Sequence, residues 1–187
     1  RSWSLLKGHE SVAHRSVLPI LNNQDPIDYP WLTGLSSIAV DSKNDRLVFG
    51  SMFGDYLYSL SLKTLRGVMN PKVASSLGTQ IQQLGPKTIS DGIVANPANG
   101  DLYISDFEHS AVTLIEPTQG WSVMTLVQDS HLLRWPSSIV IANHYVYVAC
   151  SAFDKIMDGD HRLHAKPFHI LRFPVYDASS ETKHDEL

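Results

Sequence analysis

Asp91, in the segment Ser90-Asp91-Gly92-Ile93-Val94-Ala95, is an acidic group at the start of an apolar strand. A carboxylate in that position can pair with an amine or help to hold a metal ion. Asp91 and Gly92 equally make a tight turn into the strand, with the carboxylate accepting backbone N–H bonds. Ser137 and Ser138 stand at the corresponding place ahead of Ile139-Val140-Ile141, where their hydroxyls either touch a ligand or shape the same turn.

His161, His164 and His169, with Asp158 and Asp160, resemble a metal cluster in composition but not in spacing. They match no tight zinc pattern and no cysteine joins them, so the segment 154–167 reads as a long, solvated polar loop and no metal ligand is assigned. Ser-His-Asp order, a nucleophile elbow, a Gly-rich phosphate loop and a paired-carboxylate signature are all missing, and no catalytic residue is assigned. Cys150 is the single cysteine, which rules out an internal disulfide. It sits in an alternating apolar segment with no cationic neighbour in sequence to activate it, as a small buried strand residue would.

These residues need elements to position them, and the bulk composition allows a packed fold. The chain has 187 residues, 43% of them hydrophobic, and a formal net charge of −4 from 15 basic and 19 acidic residues spread along its length. No basic surface points to nucleic acid. No apolar run approaches the roughly 18–20 residues a membrane-spanning helix needs.

A repeated unit then organises the chain. Ser36–Val40, Leu47–Gly50 and Tyr56–Leu60 read as a three-strand meander with a turn at 41–45. The order returns as Asp91–Ala95, Leu102–Ser105 and Ala111–Ile115 after a turn at 96–100, with Ser122–Val127 as an outer fourth strand. It returns again as Ser137–Ile141, Tyr145–Cys150 and His169–Phe173, with a tight turn at Asn143 and His144. Ile38, Ile93 and Ile139 are then equivalent, and offsets of 55 and 46 residues suit propeller blades of four short antiparallel strands. Alternation puts Leu47 with Phe49, Leu102 with Ile104, and Tyr145 with Tyr147 on one face of each sheet. The stretch 73–84 reads as a loop or as a turn or two of helix. The fold expected is all-β, a β-propeller of which about three blades are present. Three blades cannot close a ring, so the rest is expected to be missing or supplied by a partner.

The local sequences of these repeats carry a resemblance. Ser90-Asp91-Gly92-Ile93, Asn99-Gly100-Asp101-Leu102-Tyr103 and Ser110-Ala111-Val112 resemble the second half of major royal jelly and yellow family proteins, with His109 and Ser110 where the family often has an Asn. Leu133-Arg134-Trp135-Pro136-Ser137-Ser138 looks like the family's Trp-Pro-Asp-Thr segment, the Asp-Thr pair having become Ser137 and Ser138. Upstream, 6–12, 34–40, 46–50 and 56–66 follow the order seen in bacterial-type members. The likeness runs from about Leu5 to Phe173.

The resemblance implies a six-bladed propeller of roughly twice this length and several possible roles. Some members are nutritive or signalling proteins, some bind biogenic amines, and yellow proteins are linked to dopachrome conversion. It also implies a ligand-contacting hydroxyl at Ser138. The Asn and aromatic residue of amine-binding relatives fall on Ser151 and Phe153, so the aromatic face is kept and the amide is lost. The expected ligand set is therefore Asp91, Ser138, Ser151 and Phe153, holding a small aromatic or amine ligand at the channel mouth. The alternative is an enzyme, either dopachrome tautomerase-like or a lactone hydrolase of gluconolactonase type that would use a divalent metal.

The domain expectation divides the chain into 1–34, the end of a preceding blade with a connecting loop; 35–176, about three blades; and a flexible tail, 177–187. Starting at Arg1 with no signal-peptide pattern, the chain reads as a fragment or a processed product. His184-Asp185-Glu186-Leu187 spells a C-terminal HDEL, read by a retrieval receptor of the endoplasmic reticulum. The expected location is the reticulum lumen or the secreted space.

Overall fold

The computed structural model describes residues 35–68, 70–151 and 168–176, together with the strand assignments of 14–18 and 27–33. Strands β1 (His14–Leu18) and β2 (Ile27–Thr33) form an antiparallel pair. The remaining strands make three sheets that follow one another along the chain. The first blade is β3 (Leu35–Asp41), β4 (Arg46–Ser51), β5 (Tyr56–Ser61) and β6 (Gln82–Pro86). The second is β7 (Ser90–Ala95), β8 (Leu102–Asp106), β9 (Ala111–Glu116) and β10 (Ser122–Gln128). The third is β11 (Trp135–Ala142), β12 (Tyr145–Ser151) and β13 (His169–Pro174).

Each sheet is an antiparallel meander, and the repeat read from the sequence is the repeat that folds. Ile38, Ile93 and Ile139 pair with Phe49, Ile104 and Val148, so the three blades share one register. Turn chemistry explains the hairpins. Asn143 and His144, at φ 50° and 65°, form the two-residue loop whose twist matches that of paired strands. At the β3–β4 turn, the buried Asp41 carboxylate accepts from Asn44 N–H, Asn44 Nδ2 and Arg46 Nε, the last at 2.7 Å.

The segment 73–84 is resolved into both of its readings. After Ser61 caps α1 (Leu62–Arg66) and Asn70 caps α2 (Pro71–Ser75), a 3₁₀ turn at Leu77–Gln80 leads into β6. These short elements drop Leu77 onto Phe49, Tyr58 and Leu60, covering part of the outward face of the first blade.

The core lies between blades, as stacked sheets require. Val48 and Leu57 of the first blade pack against Ile93, Ala95, Leu102 and Ile104 of the second. Tyr103, Val112 and Leu114, on the opposite face of the second blade, meet Ile139, Val146, Val148 and Cys150 of the third. Tyr145 and Tyr147 do share a face, with ring centroids 6.5 Å apart, but it faces away from the second blade. Along that face Val140 is 53% and Ile170 72% exposed, although the equivalent second-blade residue Val112 is fully buried.

Candidate functional site

The inner strands β3, β7 and β11 lie side by side, and each carries a register shift at the same place. The irregularities fall between Leu35 and Ser37, between Ser90 and Ile93, and between Pro136 and Ser138. A bulge bends the strand and re-aims the side chain it carries. The three displaced positions are Ser36, Asp91 with Gly92, and Ser137, and all four residues line one open pocket of about 290 Å³. Ser138, Ile38, Ile93, Ile139 and Val140 complete its wall.

Asp91 is the single carboxylate among the residues lining this pocket. Burial pushes its carboxyl above the usual aspartate range, while the nearby Lys87 ammonium pulls the other way. The bulge beside it is held by Ser105. Gly92 N–H donates to Ser105 Oγ at 2.6 Å, and Ser105 Oγ donates back to the Gly92 carbonyl at 3.2 Å. The same hydroxyl therefore fixes both backbone groups next to Asp91.

Ser138 reaches the pocket from the face it shares with Val140 and its ladder partner Ala149. Ser151 belongs to a second, larger hollow of about 450 Å³ with Ala149, Phe168, His169 and Ile170. Ser137 lines both hollows. The structure thus brings Asp91 and Ser138 together and sets Ser151 apart, one hollow away. Phe153 lies outside the described residues, as do Asp158, Asp160, His161, His164 and His184–Leu187. His169 is described, and its Nε2 is hydrogen-bonded to the Leu132 carbonyl. Cys150 is 3% exposed, and burial pushes its thiol up to about 11, as expected for an unactivated strand residue.

Sequence reasoning missed three features around the site. An aromatic cluster ties the blades together at this end: Phe107 of the second blade stacks on Trp135 of the third at 4.6 Å, and Phe53 of the first meets Phe107 edge-on at 6.2 Å. Lys87, just ahead of β7, extends its ammonium to the Met52 and Thr88 carbonyls and to Ser90 Oγ. Burial lowers its pKa from 10.5 to about 8, against the attraction of Asp55, Asp106, Glu108 and Asp91. Asp106, Glu108 and His109 bring their ligating atoms within 4.8 Å of one another at the β8–β9 turn. Asp106 is engaged there in holding the turn, accepting from His109 N–H at 3.1 Å and from Thr113 Oγ1 at 3.2 Å. The spacing Asp106-Phe107-Glu108-His109 was the one signal of this group that the sequence offered.

No family model matches the chain, and no curated protein does. Solved structures do. One similar structure is a gluconolactonase from Xanthomonas campestris, 14% identical, with a TM-score of 0.51 over 87% of this chain and 57% of that one. A putative gluconolactonase, 13% identical, matches with a TM-score of 0.51 over 76% of this chain and 46% of that one. An auxiliary nutrient binding protein from Bacteroides thetaiotaomicron, 18% identical, also reaches 0.51, over 81% of this chain and 31% of that one. The chain therefore spans from about a third to somewhat over half of the structures it resembles. At these identities the likeness speaks for fold alone, and with the three meanders and their shared register it establishes that the described chain is a run of β-propeller blades.

Proposed function

We propose that this chain forms part of a ligand-binding propeller of the royal jelly and yellow type, holding a small aromatic amine at the channel mouth. Asp91 supplies the charge, Ser138 a hydrogen bond and Phe153 a face for stacking, with Ser151 in the neighbouring hollow. The observation that carries this reading is the bulge that directs Asp91 into a pocket shared with Ser36, Ser137 and Ser138. A carboxylate held partly out of water is paired more strongly by a ligand ammonium than an exposed carboxylate would be. Calorimetric titration of the full-length protein with dopamine and serotonin tests it. Binding that weakens at least tenfold in Asp91→Asn supports the proposal; no binding at millimolar amine overturns it.

The similarity to gluconolactonase structures supplies the rival reading, a metal-dependent lactone hydrolase. The described pocket brings together one carboxylate and serine hydroxyls, fewer anionic or amide donors than a divalent cation needs. These residues alone do not fit the metal, and no hydrolytic step is derived from them. Metal analysis after mild dialysis, paired with a lactonase assay, separates the two classes.

The location is a proposal of its own. His184–Leu187 acts as a retrieval address in the endoplasmic reticulum. Deleting these four residues from the native precursor should send the protein into the medium, and unchanged retention overturns the assignment.

A further inference from the structure

Lys87 lies outside the pocket, yet it is bonded on both sides of the seam between the first two blades. Its ammonium donates to the Met52 carbonyl at 3.1 Å, the Thr88 carbonyl at 3.0 Å and Ser90 Oγ at 3.2 Å, using all three donors. Met52 belongs to the β4–β5 turn of the first blade, and Ser90 is the residue before Asp91 in the second. The same two segments are joined directly, since Ser90 N–H donates to the Met52 carbonyl at 3.2 Å. Lys87 N–H donates to the Asp55 carbonyl at 2.8 Å, anchoring the lysine's own backbone to that turn. On the other side of Ser90, the Ser37 hydroxyl donates to its carbonyl at 3.4 Å. The stem is confined too: a Cβ on Gly50 would lie 3.2 Å from Lys87 Cε.

We propose that Lys87 is a positioning residue for the amine site: it clamps the first-blade turn to Ser90 and so fixes the bulge that presents Asp91 to the channel. The proposal rests on the amine-binding reading for its functional consequence, and on the hydrogen-bond geometry for the clamp itself. Ser90 is 1% exposed and pinned from three directions, so the backbone entering the bulge has one position. With the clamp removed, two carbonyls and a hydroxyl in a partly buried seam lose a donor, and the strand start is free to shift. A shift of about an ångström is enough to spoil a charged contact that depends on fixed geometry.

Electrostatics makes the opposite prediction, which is what makes the clamp testable. Asp55, Asp91, Asp106 and Glu108 all attract the Lys87 ammonium. If the lysine acted on the site only as a nearby positive charge, removing it would free Asp91 to attract an amine more strongly.

The experiment uses the full chain with Lys87→Met, which keeps the stem and removes the donors, and Lys87→Arg, which keeps charge and donors. Hydrogen exchange of the Ser90 and Gly92 amides is measured without ligand, with the Val146 and Val148 amides as internal reference. Dopamine affinity is measured in parallel. Expected for Lys87→Met is at least a tenfold loss of protection at Ser90 and Gly92, unchanged protection at Val146 and Val148, and several-fold weaker dopamine binding. Lys87→Arg, whose planar guanidinium must fit a confined seam, should recover only part of the protection and affinity lost in Lys87→Met. Unchanged protection at Ser90 and Gly92, or tighter dopamine binding in Lys87→Met, overturns the proposal. If the parent binds no dopamine, the amine-binding reading fails, while the exchange data still decide the clamp. If Lys87→Met does not fold, Ser90→Ala carries the test, because it removes one acceptor of the clamp and leaves the lysine charge in place: faster exchange at Gly92 with weaker dopamine binding supports the clamp, and parent-like exchange and affinity overturn it.

Discussion

A Cβ placed on Gly92 would lie 2.7 Å from the carbonyl oxygen of Ser137, closer than real Cβ contacts come, and 2.9 Å from Ser105 Oγ. The inner strands of the second and third blades therefore approach each other at a point that tolerates no side chain. The requirement is one of space, since Gly92 is not among the glycines with positive φ. Gly92→Ala should cost about 1–3 kcal/mol of stability by overpacking, and the forced separation should disturb the adjacent Asp91. Chemical denaturation measures the first effect, and a change below about 0.5 kcal/mol would show that the seam yields easily.

Asp91→Asn should divide binding from stability. Burial raises the Asp91 carboxyl pKa above its unfolded value, so the folded state holds the proton more tightly. The carboxylate consequently weakens the fold as pH rises through that window, and the neutral amide should leave thermal stability unchanged or improved while amine binding is lost. A clear fall in melting temperature would instead assign the carboxylate a structural role in the turn.

Lys87 gives the pH dependence the opposite slope. Its folded pKa of about 8 lies below the ordinary 10.5, so between those values the unfolded chain binds more protons and stability rises with pH. The gain attributable to this group is no more than about 3 kcal/mol between pH 8 and 10.5. Denaturation across that range should show the rise in the parent, and a flatter curve in Lys87→Met. Equal slopes in both proteins would remove Lys87 as the source.

Tyr103 anchors the chain after the last described strand. It is fully buried, and its hydroxyl accepts from Tyr176 N–H at 3.1 Å, tying 175–176 back to the second blade. Tyr103→Phe keeps the ring packing and removes the hydroxyl that accepts this hydrogen bond, which should cost about 1 kcal/mol. Faster exchange at the Tyr176 amide with little change at Leu114 would confirm that the bond is local. Uniform loss of protection would mean that the whole seam depends on it.

The strands were legible because their alternation and turn chemistry are local properties. Asn143-His144, with alternating apolar residues on each side, marks a tight hairpin because Asn and His tolerate the positive φ that the loop needs, and Asn99-Gly100 marks its turn in the same way. Three meanders in one order then leave few ways to bury their apolar faces, so blade packing followed from the repeat. Direction was less accessible: Tyr145 and Tyr147 share a face as alternation requires, but only the packed sheets show that Val146 and Val148 are the pair turned toward the second blade.

The site divides along the same line. Residue type and position singled out Asp91 and Ser138, since a carboxylate and a hydroxyl at strand starts are visible in one dimension. The sequence alone could not show that bulges at equivalent places direct Ser36, Asp91 and Ser137 into one pocket, because a bulge is a mismatch between two strands. Nor could it place Ser151 in a neighbouring hollow, or join Lys87 to Met52 across 35 residues. The sequence by itself determined the strands, their order and the chemical types at their ends. Tertiary structure decided which of those ends meet, because hydrogen-bonding and desolvation partners come from separate blades that only packing brings together.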